Sequence, residues 1–307
     1  MPSPSRLLVA SMAAVVVSCT PTMTRPPGEA PSPASGADAA PISRRSGFVT
    51  ASDGARVYYE ACGSGPAIVL VHGLGGNHAV WFQQVAHFAA DHTVVTMSQR
   101  GFAPSGGDRN HYDVELLVRD LTGVMDAAGV PRAVVVGQSM GGWTALEFAL
   151  RSPERVEALV LADTIGGIHD EEIATQLRAV AASAAKLRSQ PPPLGVHPAL
   201  SASFSKRRPD LAYLYQTLTT FGAPAPDTIV KQLFAARIGA DRLRELHVPT
   251  LFVVGSEDRL FPPPMIRKAA SYIAGSEVTV IADAGHSPYF EQPAAWNAEL
   301  ASFLKRH

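Results

Sequence analysis

The chain has 307 residues, of which 46% are hydrophobic and 17% charged, and its formal net charge at neutral pH is −1. This length allows one large domain or two small ones, and the composition is typical of a compact domain with a sizeable core. The balance of charges excludes a strongly basic surface, and the chain has no run of five or six like charges, so we expect no nucleic-acid partner.

The first 19 residues differ in kind from the rest. Arg6 precedes the apolar stretch Leu7–Val17, which has the length of a signal-peptide core and is shorter than the roughly 20 apolar residues that span a bilayer. The stretch leads into Val16-Val17-Ser18-Cys19, which resembles a bacterial lipobox. The resemblance implies export and a lipid anchor on Cys19 in the cell envelope, or a secreted or periplasmic protein if cleavage occurs elsewhere.

Residues 20–46 are rich in Pro, Ser, Ala and Gly and contain almost no large apolar side chains. Such a segment cannot bury enough surface to offset the entropy of ordering, so we predict a flexible tether before a domain at 47–307. The two cysteines of the chain, Cys19 and Cys62, do not make a disulfide framework. Cys62 falls in a predicted strand, and we interpret it as a buried free thiol.

From about Phe48 onward, short β-branched apolar runs alternate with stretches of helical periodicity. Nearly continuous apolar runs are typical of strands that are buried on both faces of a parallel sheet. The predicted strands are Arg56–Cys62, Ala67–Val71, Thr93–Met97, Ala133–Val136, Val156–Leu161, Thr250–Val254 and Val278–Ile281. The predicted helices between and after them include Asp113–Ala128, Trp143–Leu150 and Ala294–Leu304. This alternation predicts an α/β fold with a doubly wound sheet.

The segment from about 165 to 247 interrupts this alternation, because it has no convincing strand pattern. Its helical patches are Asp170–Leu187, Asp210–Thr219 and Asp227–Ile238, separated by proline clusters. A segment of this length is too long for a simple connection. We predict a helical insertion over one end of the sheet, and its content of Ala, Leu, Tyr, Phe204 and Phe221 predicts a largely apolar lid.

The strongest local motif is Gly137-Gln138-Ser139-Met140-Gly141-Gly142, which lies directly between a predicted strand and a predicted helix. In a strand–turn–helix context, flanking glycines allow a serine to adopt a strained backbone angle that lifts its hydroxyl above the sheet. The N-terminus of the helix then stabilises developing negative charge. The motif therefore predicts that Ser139 is a nucleophile.

A serine nucleophile needs a base that is oriented by an acid. His286 follows the last predicted strand and Asp258 follows the strand before it, so both lie at carboxyl strand ends, where an open α/β sheet gathers its active site. The order Ser, Asp, His along the chain is the expected one for this topology. Glu257, beside Asp258, and Asp163, after the strand Val156–Leu161, remain alternative acids.

A third motif, His72-Gly73-Leu74-Gly75-Gly76, follows the strand Ala67–Val71. Tetrahedral intermediates of acyl transfer need backbone N–H groups aimed at the developing oxyanion. The N–H groups of Leu74 and Met140 are the candidates. We interpret His72 as a structural residue that supports the loop. The sequence offers no clustered His, Cys and Asp spacing of the kind that binds a metal, so we expect no metal and no other cofactor.

With these motifs in this order, the chain from about Phe48 to His307 resembles the α/β-hydrolase family, and the insertion resembles its helical cap. The resemblance implies a mostly parallel doubly wound sheet and a serine hydrolase whose triad is Ser139, His286 and Asp258. It implies a small or medium carboxylic ester or lactone as substrate. A carbon–carbon bond hydrolase or a perhydrolase or haloperoxidase-like enzyme with the same triad stays open, as does a receptor-like member with negligible turnover.

Two positions depart from the family pattern. The loop that usually reads D-x-R-G-x-G-x-S is Ser98-Gln99-Arg100-Gly101-Phe102-Ala103-Pro104-Ser105, so the aspartate and one glycine are replaced. Gln138 precedes the nucleophile, where histidine is common. Both changes leave the triad intact and restrict what the resemblance says about the substrate.

Overall fold

The computed structural model of the protein describes residues 41–187, 193–221 and 226–307. The predicted signal segment, Cys19 and residues 20–40 of the predicted tether lie outside the described residues. Within the described ranges, no helix has both the length and the apolar character that a membrane crossing requires.

The described residues form one eight-stranded sheet. The strands are β1 (Arg44–Thr50), β2 (Arg56–Cys62), β3 (Ala67–Val71), β4 (Thr93–Met97), β5 (Ala133–Gln138), β6 (Val156–Ala162), β7 (Thr250–Gly255) and β8 (Glu277–Ile281). Their spatial order is β1-β2-β4-β3-β5-β6-β7-β8. β2 pairs antiparallel with β1 and β4, and all other pairs are parallel. The predicted mostly parallel sheet is confirmed.

The first strand, β1, was not among the predicted strands. It begins at Arg44, so residues 44–46, which the sequence pattern assigned to the tether, belong to the sheet and the domain begins before 47. β1 is an edge strand in which only Gly47 and Val49 are even half-buried. Its sequence therefore lacks the apolar run that marks a buried strand.

Helices cover both faces of the sheet, as a doubly wound fold requires. They are α1 (Phe82–Phe88), α2 (Val114–Ala127), α3 (Met140–Arg151), α4 (Glu171–Leu187), α5 (Ala202–Arg207), α6 (Pro209–Leu218), α7 (Asp227–Ala235), α8 (Ala240–Leu243), α9 (Pro263–Ala270), α10 (Pro288–Glu291) and α11 (Pro293–Arg306). Alternate residues of β3 enter two separate cores. Val69 and Val71 pack with residues of α2, α3 and α9, whereas Ile68 and Leu70 pack with residues of α1 and α11.

The insertion between β6 and β7 contributes α4 to α8, which confirms the predicted helical cap. Its two ends meet at a single parallel bridge between Ile168 and Ile238, where the Ile238 N–H donates to the Gly167 carbonyl at 2.8 Å. Of the aromatic residues expected in an apolar lid, Phe204 is buried against the domain and Phe221 is 65% exposed. Cys62 is a buried free thiol, as predicted.

A buried guanidinium ties the loop after β4 to α2. Arg100 is 2% exposed, and its Nε and Nη2 donate to the two carboxylate oxygens of Asp120 at 2.6 and 2.7 Å. Its Nη1 donates to Asp53 Oδ2 at 2.6 Å. Removing one partner of a buried pair leaves an uncompensated charge away from water.

We therefore expect Asp120→Ala to lower the free energy of unfolding by about 3–5 kcal/mol. Glu115→Ala, which removes an exposed partner of Arg119 on the same helix, is the matched control and should cost about 1 kcal/mol or less. Urea unfolding of both variants measures the difference. Equal losses would show that the Arg100 network does not hold this loop.

Candidate active site

Ser139 stands between β5 and α3 with φ = 50° and ψ = −118°. A positive φ is strained for a residue with a side chain, so the conformation persists only where the surroundings fix it. Here the Ser139 N–H donates to the Ala162 carbonyl at 2.9 Å, and the Ser139 carbonyl accepts from the Gly142 N–H at 2.9 Å and from Thr164 Oγ1 at 2.7 Å. The serine is half-buried. This is the predicted elbow.

A glycine is required at position 141 because α3 starts close to the end of β3. A Cβ on Gly141 would overlap the carbonyl oxygens of Val71 and His72. The close approach brings the loop after β3 against the first turn of the helix. Gly141 therefore allows the elbow at Ser139 and the loop after β3 to lie against each other.

His286 and Asp258 meet at the carboxyl ends of β8 and β7. The His286 Nδ1 lies 2.9 Å from Asp258 Oδ2, and each residue is only 4% exposed. Asp258 Oδ1 accepts the backbone N–H groups of Leu260 at 2.8 Å and Phe261 at 3.0 Å. A carboxylate held in this way accepts the Nδ1 proton, which leaves the His286 Nε2 free to act as a base.

Gln138 links the elbow to the histidine loop. Its Nε2 donates to the His286 carbonyl at 2.9 Å. Its Oε1 lies so close to Gly73 that a Cβ on the glycine would overlap it. The residue that departs from the family pattern before the nucleophile thus contacts both neighbouring loops of the site.

The loop at 73–76 forms a turn against Ser139, in which the Gly76 N–H donates to the Gly73 carbonyl at 3.0 Å. A Cβ on Gly73 would lie 2.9 Å from the Ser139 Cβ, which shows how near the turn is. Leu74 follows Gly73 in this turn, and Met140 is the first residue of α3, where backbone N–H groups lack an acceptor within the helix. Met140 therefore follows Ser139 directly along the chain, and Leu74 belongs to the turn that approaches Ser139 from the end of β3.

His72 supports this loop and takes no part in the triad. Its Nε2 accepts the Gln99 N–H at 2.9 Å, so its Nδ1 carries the proton and donates to the Gly73 carbonyl at 2.7 Å. Gln99 Nε2 returns a hydrogen bond to the His72 carbonyl at 2.7 Å. Burial lowers the pKa of His72 to about 4, so the ring is neutral at physiological pH.

The two alternative acids occupy different places. Glu257 Oε1 accepts from the Ser203 hydroxyl at 3.1 Å. Asp163 is fully buried, and its Oδ1 accepts the Gly255 N–H at 2.9 Å. One polar side-chain atom each of Asp163, Asp258 and His286 lie within 4.8 Å of one another, but the hydrogen bond to the imidazole is made by Asp258.

The cap brings two further side chains to the site that no sequence motif indicated. Tyr215 on α6 lies 2.8 Å, hydroxyl to hydroxyl, from Ser287, the neighbour of His286. The His197 ring packs against Tyr215 with centroids 5.0 Å apart. His197 Nδ1 accepts the Ala199 N–H at 3.1 Å, so the proton is on Nε2. Burial, with a smaller effect of His286, lowers the pKa of His197 to about 4.

Aromatic rings line one side of His286. The Phe261 ring lies 5.6 Å from that of His286 and 6.3 Å from that of Trp143, measured between centroids. Phe234 of α7 packs edge-on against Trp143 at 5.5 Å and is 37% exposed. The surroundings of the histidine are therefore apolar on this side.

Comparison with known proteins agrees with this geometry. The model of the α/β-hydrolase fold family matches residues 66–293. This chain belongs to the α/β-hydrolase family. It is an enzyme of the hydrolase class, as the sequence motifs predicted.

Three relatives illustrate the range of the family near this chain. A 3-oxoadipate enol-lactonase from Acinetobacter baylyi is 26% identical over 250 residues, which cover 78% of this chain and 89% of the relative. The structure of a thermophilic esterase from Thermogutta terrifontis aligns with a TM-score of 0.72 and 27% identity, over 85% of this chain and 98% of the esterase. An enol-lactonase from Burkholderia xenovorans aligns with a TM-score of 0.70 and 25% identity, over 84% and 100%.

The contact between Gly73 and the elbow makes a testable prediction. Gly73→Ala must displace Gln138 or Ser139, and a shift of 1 Å in a catalytic group costs about 10²-fold in rate. We expect a loss of kcat of that order in a variant that remains folded. Gly239→Ala is the matched control, because its Cβ meets open space and its φ is −83°. Equal activity of the two variants would show that the turn at Gly73 does not position the nucleophile.

Proposed function

We propose that the chain is a serine hydrolase that cleaves a small or medium carboxylic ester or lactone through an acyl-enzyme on Ser139. The proposal rests on the hydrogen bond of 2.9 Å between His286 Nδ1 and Asp258 Oδ2. The bond from Gln138 to the His286 carbonyl keeps this pair next to the elbow.

The proposed reaction begins when His286 Nε2 takes the proton of Ser139 and the hydroxyl oxygen attacks the substrate carbonyl. The imidazolium that forms is stabilised by the carboxylate of Asp258. The N–H groups of Leu74 and Met140 hold the oxyanion, each contributing roughly 2.7–4 kcal/mol to transition-state stabilisation. His286 then protonates the leaving oxygen and activates a water molecule that releases the acid.

The residues around the histidine support an uncharged acyl group. Trp143, Phe234 and Phe261 present aromatic surface, and Leu74 is 38% exposed in the turn beside the nucleophile. Charged groups would lose hydration against this surface, whereas an alkyl or aryl chain would gain from burial. The esterase and the two lactonases among the similar proteins support the ester and lactone class.

Hydrolysis of a series of p-nitrophenyl esters of increasing acyl length, together with a simple lactone, tests the proposal. Ser139→Ala should lower kcat/KM by roughly 10⁴-fold or more. Ser271→Ala, which changes an exposed serine after α9, should leave it unchanged. The acyl length with the highest kcat/KM would report the size of the pocket.

If the folded wild-type protein hydrolyses none of the esters or lactones faster than Ser139→Ala does, the proposal of an ester or lactone hydrolase is wrong. Cleavage of a β-diketone would then support a carbon–carbon bond hydrolase. Stoichiometric labelling of Ser139 by a fluorophosphonate without turnover of any substrate would support a receptor-like protein.

We also propose that the protein is exported and anchored through a lipid on Cys19. The support is the apolar stretch Leu7–Val17 that leads into the cysteine and the Pro/Ser/Ala-rich stretch that follows it. More than one acyl chain gives stable membrane binding.

The anchor is tested by expressing the full chain in a bacterium fed with labelled palmitate. We expect the wild type to incorporate the label and to sediment with membranes. Cys19→Ser should lose both properties, whereas Cys62→Ser should keep them. Equal sedimentation of wild type and Cys19→Ser would rule out anchoring by this cysteine.

A further inference from the structure

Asp163 occupies a place where a titratable side chain is costly. It follows β6 directly, has φ = 49° and is fully buried. Its N–H donates to the Val253 carbonyl at 2.8 Å, and its Oδ1 accepts the Gly255 N–H at 2.9 Å. These bonds hold the side chain at the ends of β6 and β7, beside the triad.

The second oxygen of this carboxyl is the unusual feature. Asp163 Oδ2 is buried, and no group of the described residues donates a hydrogen bond to it. A buried acceptor without a donor destabilises the folded state, and more so when the group is charged. A protonated Oδ2 would instead be a donor, and the polar atoms of Asp258 and His286 lie within 4.8 Å.

Asp258 has more hydrogen-bond partners than Asp163. It accepts two backbone N–H groups and the Nδ1 proton of His286. Three N–H donors stabilise the carboxylate form, whereas Asp163 accepts one. When two buried carboxyls are this close, one of them holds a proton, because both cannot be charged without strong repulsion.

We propose that Asp163 is a neutral carboxylic acid whose Oδ2–H donates to the Asp258 carboxylate, and that it is a positioning residue of the triad. This inference deepens the proposed function and rests on it. The proton stays on Asp163 throughout the reaction. Its role is to fix the plane of the Asp258 carboxylate toward His286 and to add no charge beside the imidazole.

The groups that act on Asp163 agree with a neutral state. Burial raises its pKa well above the usual range, and the negative charges of Asp258 and Glu291 raise it further, against the lowering effect of the Gly255 N–H. Tyr215 and Tyr289, which also face it, have raised pKa values and stay neutral. His286 is the remaining titratable group of this cluster.

Two substitutions at Asp163 distinguish the effect of its hydrogen-bond donor from the effect of a charge at this position. Asp163→Asn keeps an acceptor for the Gly255 N–H and a donor for Asp258, and it has no charge at any pH. We expect its kcat to stay within about 3-fold of wild type and the acidic limb of its pH profile to move by less than about 0.3 unit. Asp163→Leu removes the donor. We expect its kcat to fall about 10- to 100-fold with little change in KM, since a hydrogen bond to a charged group is lost.

Two outcomes would overturn the inference in the activity assay. An ionised Asp163 would stabilise the His286 imidazolium, so Asp163→Asn would then move the acidic limb clearly to lower pH. If Asp163 were itself the acid of the triad, Asp163→Asn would lose about 10⁴-fold in kcat while Asp258→Asn stayed active.

A measurement of stability needs no substrate and so distinguishes failure of this inference from failure of the proposed function. Between the ordinary aspartate pKa and the raised folded value, the folded state holds a proton that the unfolded state has lost. Stability of the wild type therefore falls as pH rises through this window, and a neutral variant escapes the loss. The Tm of Asp163→Asn minus that of the wild type should rise by about 3 °C or more from pH 4 to pH 8.

Asp163→Leu should show the same change of the Tm difference with pH. Either variant that folds therefore tests whether Asp163 holds a proton in the folded wild type. A difference in Tm that does not change with pH would show that Asp163 is ionised in the folded protein. If the Tm difference changes with pH as expected and no ester or lactone is cleaved, the inference that Asp163 is protonated is retained and the proposed function is rejected.

Discussion

The positive φ of Ser139 costs about 1–3 kcal/mol. Three hydrogen bonds to the Ser139 backbone, all from residues outside β5, hold this conformation in place. Two of these involve Ala162 and Thr164, which lie at and just beyond the end of β6. The elbow is therefore completed only when β5 and β6 have paired. The backbone conformation of Ser139 is a property of the assembled sheet, and the glycines of the motif permit this conformation without enforcing it.

The sequence predicted most of the fold because buried parallel strands carry their signal in composition alone. All seven predicted strands lie within two residues of the observed ones. β1 was missed because an exposed edge strand has no apolar run. The positions of Asp258 and His286 followed from strand ends, and the structure joins them. The parts played by Gln138 and by the cap residue His197 depend on contacts between distant segments, which no local spacing encodes.

Burial decides which groups of the site are charged. His72 and His197 both have a pKa near 4, so neither competes with His286 for a proton at neutral pH. Asp163 accepts a single backbone N–H, whereas Asp258 accepts two backbone N–H groups and bonds to His286 Nδ1. In the proposed reaction, positive charge would thus develop on one imidazole among three, next to the carboxylate of the pair that accepts more hydrogen bonds.

The bridge between Ile168 and Ile238 closes the cap at its base. The bridge joins the segment that leaves β6 to the segment that leads back to β7, so the entry and exit of the cap are held together beyond the ends of these strands. The helices between the two isoleucines also contact the site directly, through the hydrogen bond between Tyr215 and Ser287. A substitution in the cap can therefore alter the surroundings of His286 without any change in the strands of the sheet.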